Sequence, residues 1–85
     1  MYKLMFSLDA AKTLRKMPRN VAKTIRGKLN QLTVDPYTPN NNLTKLAGRE
    51  GYRLRVGDWR IIYQINNDIL EILVLRIAPR GEVYK

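Results

Sequence analysis

The stretch Gly51-Tyr52-Arg53-Leu54-Arg55-Val56-Gly57-Asp58-Trp59-Arg60-Ile61-Ile62-Tyr63 decides how this chain folds. From Tyr52 to Val56, apolar and basic residues alternate. Tyr52, Leu54 and Val56 share one face and Arg53 and Arg55 the other, the period of a half-buried strand. Gly57-Asp58 fits a two-residue hairpin turn with glycine first. Residues 59–65 then return as a second strand. With this turn, Val56 faces Trp59 and Arg55 faces Arg60. Side chains directly opposite lie ~4.5–5.5 Å apart at Cβ, and like charges there destabilise the pair. Arg53 lies one pleat further on the same side. Three guanidinium groups therefore share one face of the hairpin, while Tyr52, Leu54, Trp59, Ile61 and Tyr63 point the other way, toward a core.

Working outward, Asn66, Asn67 and Asp68 supply a second turn. Residues 69–77 read as a third strand, apolar on both faces apart from Glu71 and Arg76, and so central in its sheet. Pro79 ends it, and residues 81–85 form a short tail. On the N-terminal side, residues 35–51 hold two prolines, three asparagines and two glycines and read as a loop. Val21, Ala22, Ile25, Leu29 and Leu32 form a stripe of helical period, which Asp35-Pro36 closes. Leu8, Ala11 and Leu14 mark a helix before it. Ser7 or Asp9 can cap that helix, and Pro18 breaks it and suits the first turn of the next. Residues 1–6 alternate loosely as a short strand. The expected fold is α+β in the order β-α-α-β-β-β: two N-terminal helices on an antiparallel sheet of about four strands.

Eighty-five residues make one domain, 1–85. Sixteen lysines and arginines against seven acids give a net charge of +9. The excess is uneven: residues 1–34 hold eight basic side chains and one acid, residues 35–85 eight and six. Nucleic acid, an anionic membrane surface or an acidic protein are the matching partners. Cysteine and histidine are absent. No disulfide framework, thiolate nucleophile, Cys/His metal site or imidazole base is available. The first twenty residues carry Lys3, Asp9, Lys12, Arg15, Lys16 and Arg19 with no apolar run between them, which argues against a secretory signal. No run of ~18 apolar residues suggests a transmembrane helix. The expectation is a soluble, cytoplasmic protein with no membrane partner.

Arg53, Arg55 and Arg60 admit two readings. One is a solvated sheet face whose arginines splay apart. The other is an anion cradle, since arginine's planar fork matches phosphate oxygens and stays charged at any working pH. A self-repelling cluster is relieved when a phosphate enters it. Tyr84, four residues after Arg80, can stack on a base, move a proton or simply anchor the C-terminus. Gly48, Gly51 and Gly57 do not make a phosphate loop, because the spacing is wrong and no helix follows.

The hairpin stretch, with Leu46-Ala47-Gly48 before it and Val74-Leu75-Arg76-Ile77 through Arg80-Gly81-Glu82-Val83-Tyr84 after it, resembles the RelE branch of the RelE/ParE toxin superfamily. The likeness covers nearly the whole chain, and the ending in Arg and then Val-Tyr favours RelE over ParE. It implies a toxin of a type II toxin–antitoxin system that cleaves mRNA in the ribosomal A site. No metal or other cofactor is implied. An acidic antitoxin would wrap and block the toxin, and operator DNA would be reached only through that complex. Ribosomal RNA and mRNA are the other implied partners. By position, Arg53 and Arg55 stand where relatives place basic residues, often lysines. Arg60 matches the arginine that holds the scissile phosphate, and Arg80 one that stabilises charge or assists the leaving group. Tyr84 matches a tyrosine that stacks on, or acts near, the attacking nucleotide. The implied reaction is attack of the 2′-OH on the adjacent phosphate, leaving a 2′,3′-cyclic phosphate and a free 5′-OH.

Two departures stand out. Arginine does not give up a proton readily, its pKa being ≳ 12, so a general-base role held by lysine in relatives does not carry over to Arg53 or Arg55. Tyr84 becomes the better candidate. Pro79 stands where many relatives have a histidine. Two other classes compete: a ParE-like inhibitor of DNA gyrase that cuts no RNA, and a basic binding module with a degenerate site.

Overall fold

Alternation along the hairpin splits its residues between two faces, and one face is covered by helices. The computed structural model describes residues 1–38 and 40–81. Its elements are β1 (Lys3–Phe6), α1 (Leu8–Lys16), α2 (Arg19–Val34), β2 (Leu43–Lys45), β3 (Tyr52–Val56), β4 (Trp59–Asn66) and β5 (Glu71–Pro79). Both helices contribute to a core with one face of the sheet: Ala10, Leu14, Ile25, Leu29 and Leu32 meet Leu54, Ile61, Tyr63, Ile72, Val74 and Ile77. Truncating any of the large aliphatic members to alanine costs ~2–5 kcal/mol, because the cavity collapses only in part. Among the described residues no helix is long and apolar enough to cross a membrane.

The helix ends follow the local chemistry. Ser7 is the N-cap of α1, its Oγ accepting the Ala10 N–H at 3.0 Å. Pro18 is the N-cap of α2, and Asp35 closes that helix. Two helices on a sheet stand as expected, but the sheet differs in two details. It has five strands among the described residues, in the order β1-β5-β4-β3-β2, and it is mixed rather than wholly antiparallel. β1 runs parallel to β5, with Leu4 opposite Ile72 and Phe6 opposite Val74. Two helices separate β1 from the hairpin, enough chain for a parallel crossover. The fifth strand, β2, arises within the stretch read as a loop. Its three residues are too few to show a period, and pairing with β3 makes them a strand.

β5 carries an irregularity that positions everything after it. Against β4 its register slips by one residue: Ile62 pairs with Arg76, but Tyr63 pairs with Val74, leaving Leu75 extra. Such a bulge resets the alternation. Ile72 and Val74 face the helices before it and Ile77 after it, although their numbering changes parity. Leu75 instead joins Leu46, Ile62 and Ala78 in a small cluster on the open face. Ser7 fastens the bulge, its backbone N–H donating to the Val74 carbonyl at 2.9 Å and its Oγ–H to the Leu75 carbonyl at 2.7 Å.

Tyr63 is fully buried and stacks on Tyr52, the ring centroids 5.6 Å apart. Its hydroxyl finds no hydrogen-bond partner among the described residues. Burial, and secondarily the neighbouring Tyr52 phenol, push its pKa well above the usual tyrosine value.

Two outcomes follow. Ser7→Ala removes the cap and the bulge contact together and lowers unfolding free energy by ~1–2 kcal/mol, read by urea denaturation; a loss below the error of that measurement contradicts the coupling. Tyr63→Phe removes a buried hydroxyl that bonds nothing among the described residues, so stability rises by about 1 kcal/mol. The phenol holds its proton more tightly folded than unfolded. Stability therefore stays flat through neutral pH and falls as pH rises past ~10, and the variant lacks Tyr63's share of that fall.

Candidate functional site

The register across the turn places Arg55 directly opposite Arg60, and Val56 opposite Trp59. Gly57 takes a positive φ of 58° at the first turn position, which a side chain there would oppose. Arg53 lies on the same face, opposite Ile62 on β4 and Thr44 on β2. Arg80 follows the last residue of β5, and its backbone N–H donates to the Asp58 carbonyl at 2.7 Å. That bond ties the end of β5 to the hairpin turn. Together Arg53, Arg55, Arg60 and Arg80 line a cleft of about 320 Å³ on the helix-free face, with Asn41, Asn42, Thr44 and Gly81. No carboxylate stands among its described lining residues.

Neutral groups hold two of the guanidiniums. Asn42 Oδ1 accepts from Arg55 Nη2 at 2.8 Å and from Nε at 3.3 Å. The Asn42 backbone carbonyl also accepts the Arg55 N–H at 2.8 Å. Arg60 Nη1 donates to the carbonyls of Gly57 and Trp59, both at 3.0 Å. These bonds orient the forks without cancelling their charge. A phosphate has the opposite charge and the acceptor oxygens that such forks match. Arginine stays protonated at any working pH, so the arrangement can bind and stabilise an anion but cannot take up a proton.

The residues singled out in the sequence fare differently. Arg53, Arg55, Arg60 and Arg80 come together. Tyr84 lies outside the described residues. Pro79 closes β5 opposite Trp59. Tyr52, Trp59 and Tyr63 pack with the core as read. Asn41, Asn42 and Thr44 were missed as site residues. They come from an asparagine-rich stretch that reads only as a loop, and its sole signal was the run of amide side chains beside a basic hairpin.

Known proteins bear directly on this geometry. A model of the family described as "ParE toxin of type II toxin-antitoxin system, parDE" matches residues 4–84. Toxin RelG of Mycobacterium tuberculosis is 27% identical over 86 residues, covering 99% of this chain and 97% of that protein. The archaeal RelE–RelB complex from Pyrococcus horikoshii contains a chain with a TM-score of 0.83 and 27% identity, covering 96% of this chain and 98% of that one. The intact RelBE toxin–antitoxin complex of Escherichia coli gives a TM-score of 0.81 at 25% identity, covering 96% and 99%.

The opposed arginines generate a stability signature. Arg55→Gln relieves the repulsion yet can still donate to Asn42. Without added anion its melting temperature rises by a few degrees, since each kcal/mol is worth about 4–8 °C in a domain of this size. Inorganic pyrophosphate raises the melting temperature of the wild type by mass action. The gain is smaller in Arg55→Gln. Differential scanning fluorimetry reads both effects, and an equal gain in the two proteins would show that the anion binds elsewhere.

Proposed function

The chain belongs to the RelE/ParE family of type II toxin–antitoxin toxins, and from that premise we propose that it is a ribosome-dependent endoribonuclease that cleaves mRNA in the A site and so stops translation. One observation carries this reading: four guanidiniums, supplied by β3, β4 and the end of β5, line one cleft with no carboxylate among its described lining residues. In the reaction, the 2′-oxygen of one nucleotide bonds to the adjacent phosphorus as the bond from phosphorus to the 5′-oxygen breaks. The 2′-OH loses its proton and the leaving oxygen gains one. The products are a 2′,3′-cyclic phosphate and a 5′-OH. Arg60 holds the scissile phosphate, Arg80 stabilises charge on it or on the leaving oxygen, and Arg53 and Arg55 add to the positive field. Tyr84 stacks on, or acts near, the attacking nucleotide. Fixed donors of this kind are worth ~2.7–4 kcal/mol each where charge develops. The ribosome supplies the positioning that a histidine-free site lacks.

The partners follow from charge. The first 34 residues carry eight basic side chains and one acid, which suits ribosomal RNA and an acidic antitoxin segment alike. RelE relatives have been crystallised with RelB, which supports an antitoxin here too. Action on translating ribosomes places the protein in the cytoplasm, with operator DNA reached through the antitoxin complex.

A second reading, inhibition of DNA gyrase, is favoured by one finding, the ParE description of the matching family. Induction of the toxin separates the two. Primer extension is expected to show new 5′ ends within codons of translated messages, and Arg60→Gln reduces their rate of appearance by ~10²–10³-fold and abolishes growth arrest while antitoxin binding persists. Intact transcripts accompanied by a DNA-damage response would replace this reading with the second.

A further inference from the structure

The arginine cleft does not end at Arg53. A second opening of about 530 Å³ is lined by Thr44, Lys45, Leu46, Ala47, Arg49 and Arg53. It shares Thr44 and Arg53 with the first, and those two residues are cross-strand partners. Resting on the reading of the first cleft as a phosphate site, we infer that the two openings form one path for single-stranded RNA, in which Arg49 holds the phosphate next to the scissile one.

The second opening has the composition a nucleotide needs. Arg49 supplies positive charge, and no carboxylate stands among the described lining residues. Ala47, exposed beside it, supplies apolar surface for a base. Arg53 stands between the two openings and faces both phosphates. Successive same-face residues of a strand are ~6.6–6.8 Å apart, so the spacing of Arg53 and Arg55 suits a backbone laid along β3.

The loop that carries Arg49 is fastened at its base. The Leu46 N–H donates to the Gly51 carbonyl at 3.0 Å. Gly51 has a φ of 116°, and a Cβ there would lie 3.0 Å from the Tyr63 carbonyl oxygen. The loop thus sits closer to β4 than any other residue type would allow. The Leu46 side chain is buried with Ile62 and Ala78 beneath the arginine face. The subsite is therefore built on the same sheet as the cleft, and Arg49 acts as a positioning residue that fixes which phosphate reaches Arg60.

Short 2′-O-methyl oligonucleotides, which cannot be cleaved, test this by fluorescence anisotropy. A dinucleotide offers one bridging phosphate and a trinucleotide two. Wild-type protein is expected to bind the trinucleotide roughly tenfold tighter, the worth of one charged hydrogen-bonded contact. Its salt slope is expected to be steeper by about 0.7. In the variant Arg49→Gln both differences vanish while dinucleotide affinity is retained. Arg49 is exposed, and an unchanged melting temperature shows that the fold is intact. A charge-matched variant, Lys12→Gln, keeps the wild-type ratio. The inference is overturned if Arg49→Gln keeps that ratio, if the charge-matched variant loses it, or if wild-type protein gains nothing from the second phosphate. Failure of the underlying reading looks different: Arg60→Gln would then bind the dinucleotide as well as wild type does.

Discussion

One extra residue in β5, Leu75, determines on which side of the sheet the chain's C-terminal arginines emerge. Val74 faces the helices. Unbroken alternation would carry Arg76, Ala78 and Arg80 to that side as well, burying two cations in an apolar core and turning Ile77 outward. Burying an unpaired charge is far costlier than the loss of one ladder contact. The slip between the Ile62 and Tyr63 pairings avoids it. It keeps Ile72, Val74 and Ile77 in the core, and Arg80 joins the cleft. Ser7 links this adjustment to the helical layer, because one hydroxyl both accepts the Ala10 N–H that caps α1 and donates to the Leu75 carbonyl. The architecture of the helices and the placement of a site arginine thus meet at a single side chain.

On the open face the chain tolerates a contact that a purely structural sheet would avoid. Arg55 and Arg60 stand directly opposite each other. Among the described residues, amide and carbonyl oxygens hold them rather than carboxylates, so each fork is oriented while its charge remains. The repulsion is modest, and the large apolar core on the opposite face offsets it. The two faces therefore divide the work: burial beneath the helices supplies stability, and the exposed face keeps a field that only an anion satisfies.

Much of this was legible because local chemistry acted alone. Gly57-Asp58 set the hairpin register, and with it the meeting of Arg55 and Arg60. Ser7, Pro18 and Asp35-Pro36 marked the helix ends. What was not legible depended on distant partners. Residues 43–45 become a strand through pairing with β3, so no period of their own announced β2. The parallel pairing of β1 with β5 leaves no trace in an alternation pattern, which is blind to strand direction. The bulge is hidden inside the run Ile72-Leu73-Val74-Leu75, where every residue is apolar and either face is acceptable. The convergence of Arg80 with the hairpin arginines followed from family resemblance alone, and its physical cause, the bond from the Arg80 N–H to the Asp58 carbonyl, requires the folded chain.

Arginine at every cationic position of the cleft also constrains the chemistry that the proposed reaction can use. A lysine can be pushed toward neutrality by its neighbours and then serve as a base; a guanidinium stays charged. The chain has no histidine to fill that role. The cleft therefore works on the phosphorane-like charge of the displacement and leaves proton transfer to groups outside the four arginines. Rate enhancement then rests on holding the 2′-oxygen, the phosphorus and the leaving oxygen in line while the field is already in place. A site of this kind gains more from a longer grip on its substrate than from a better base, and the proposed path from Arg60 past Arg53 to the loop of Arg49 would supply that grip.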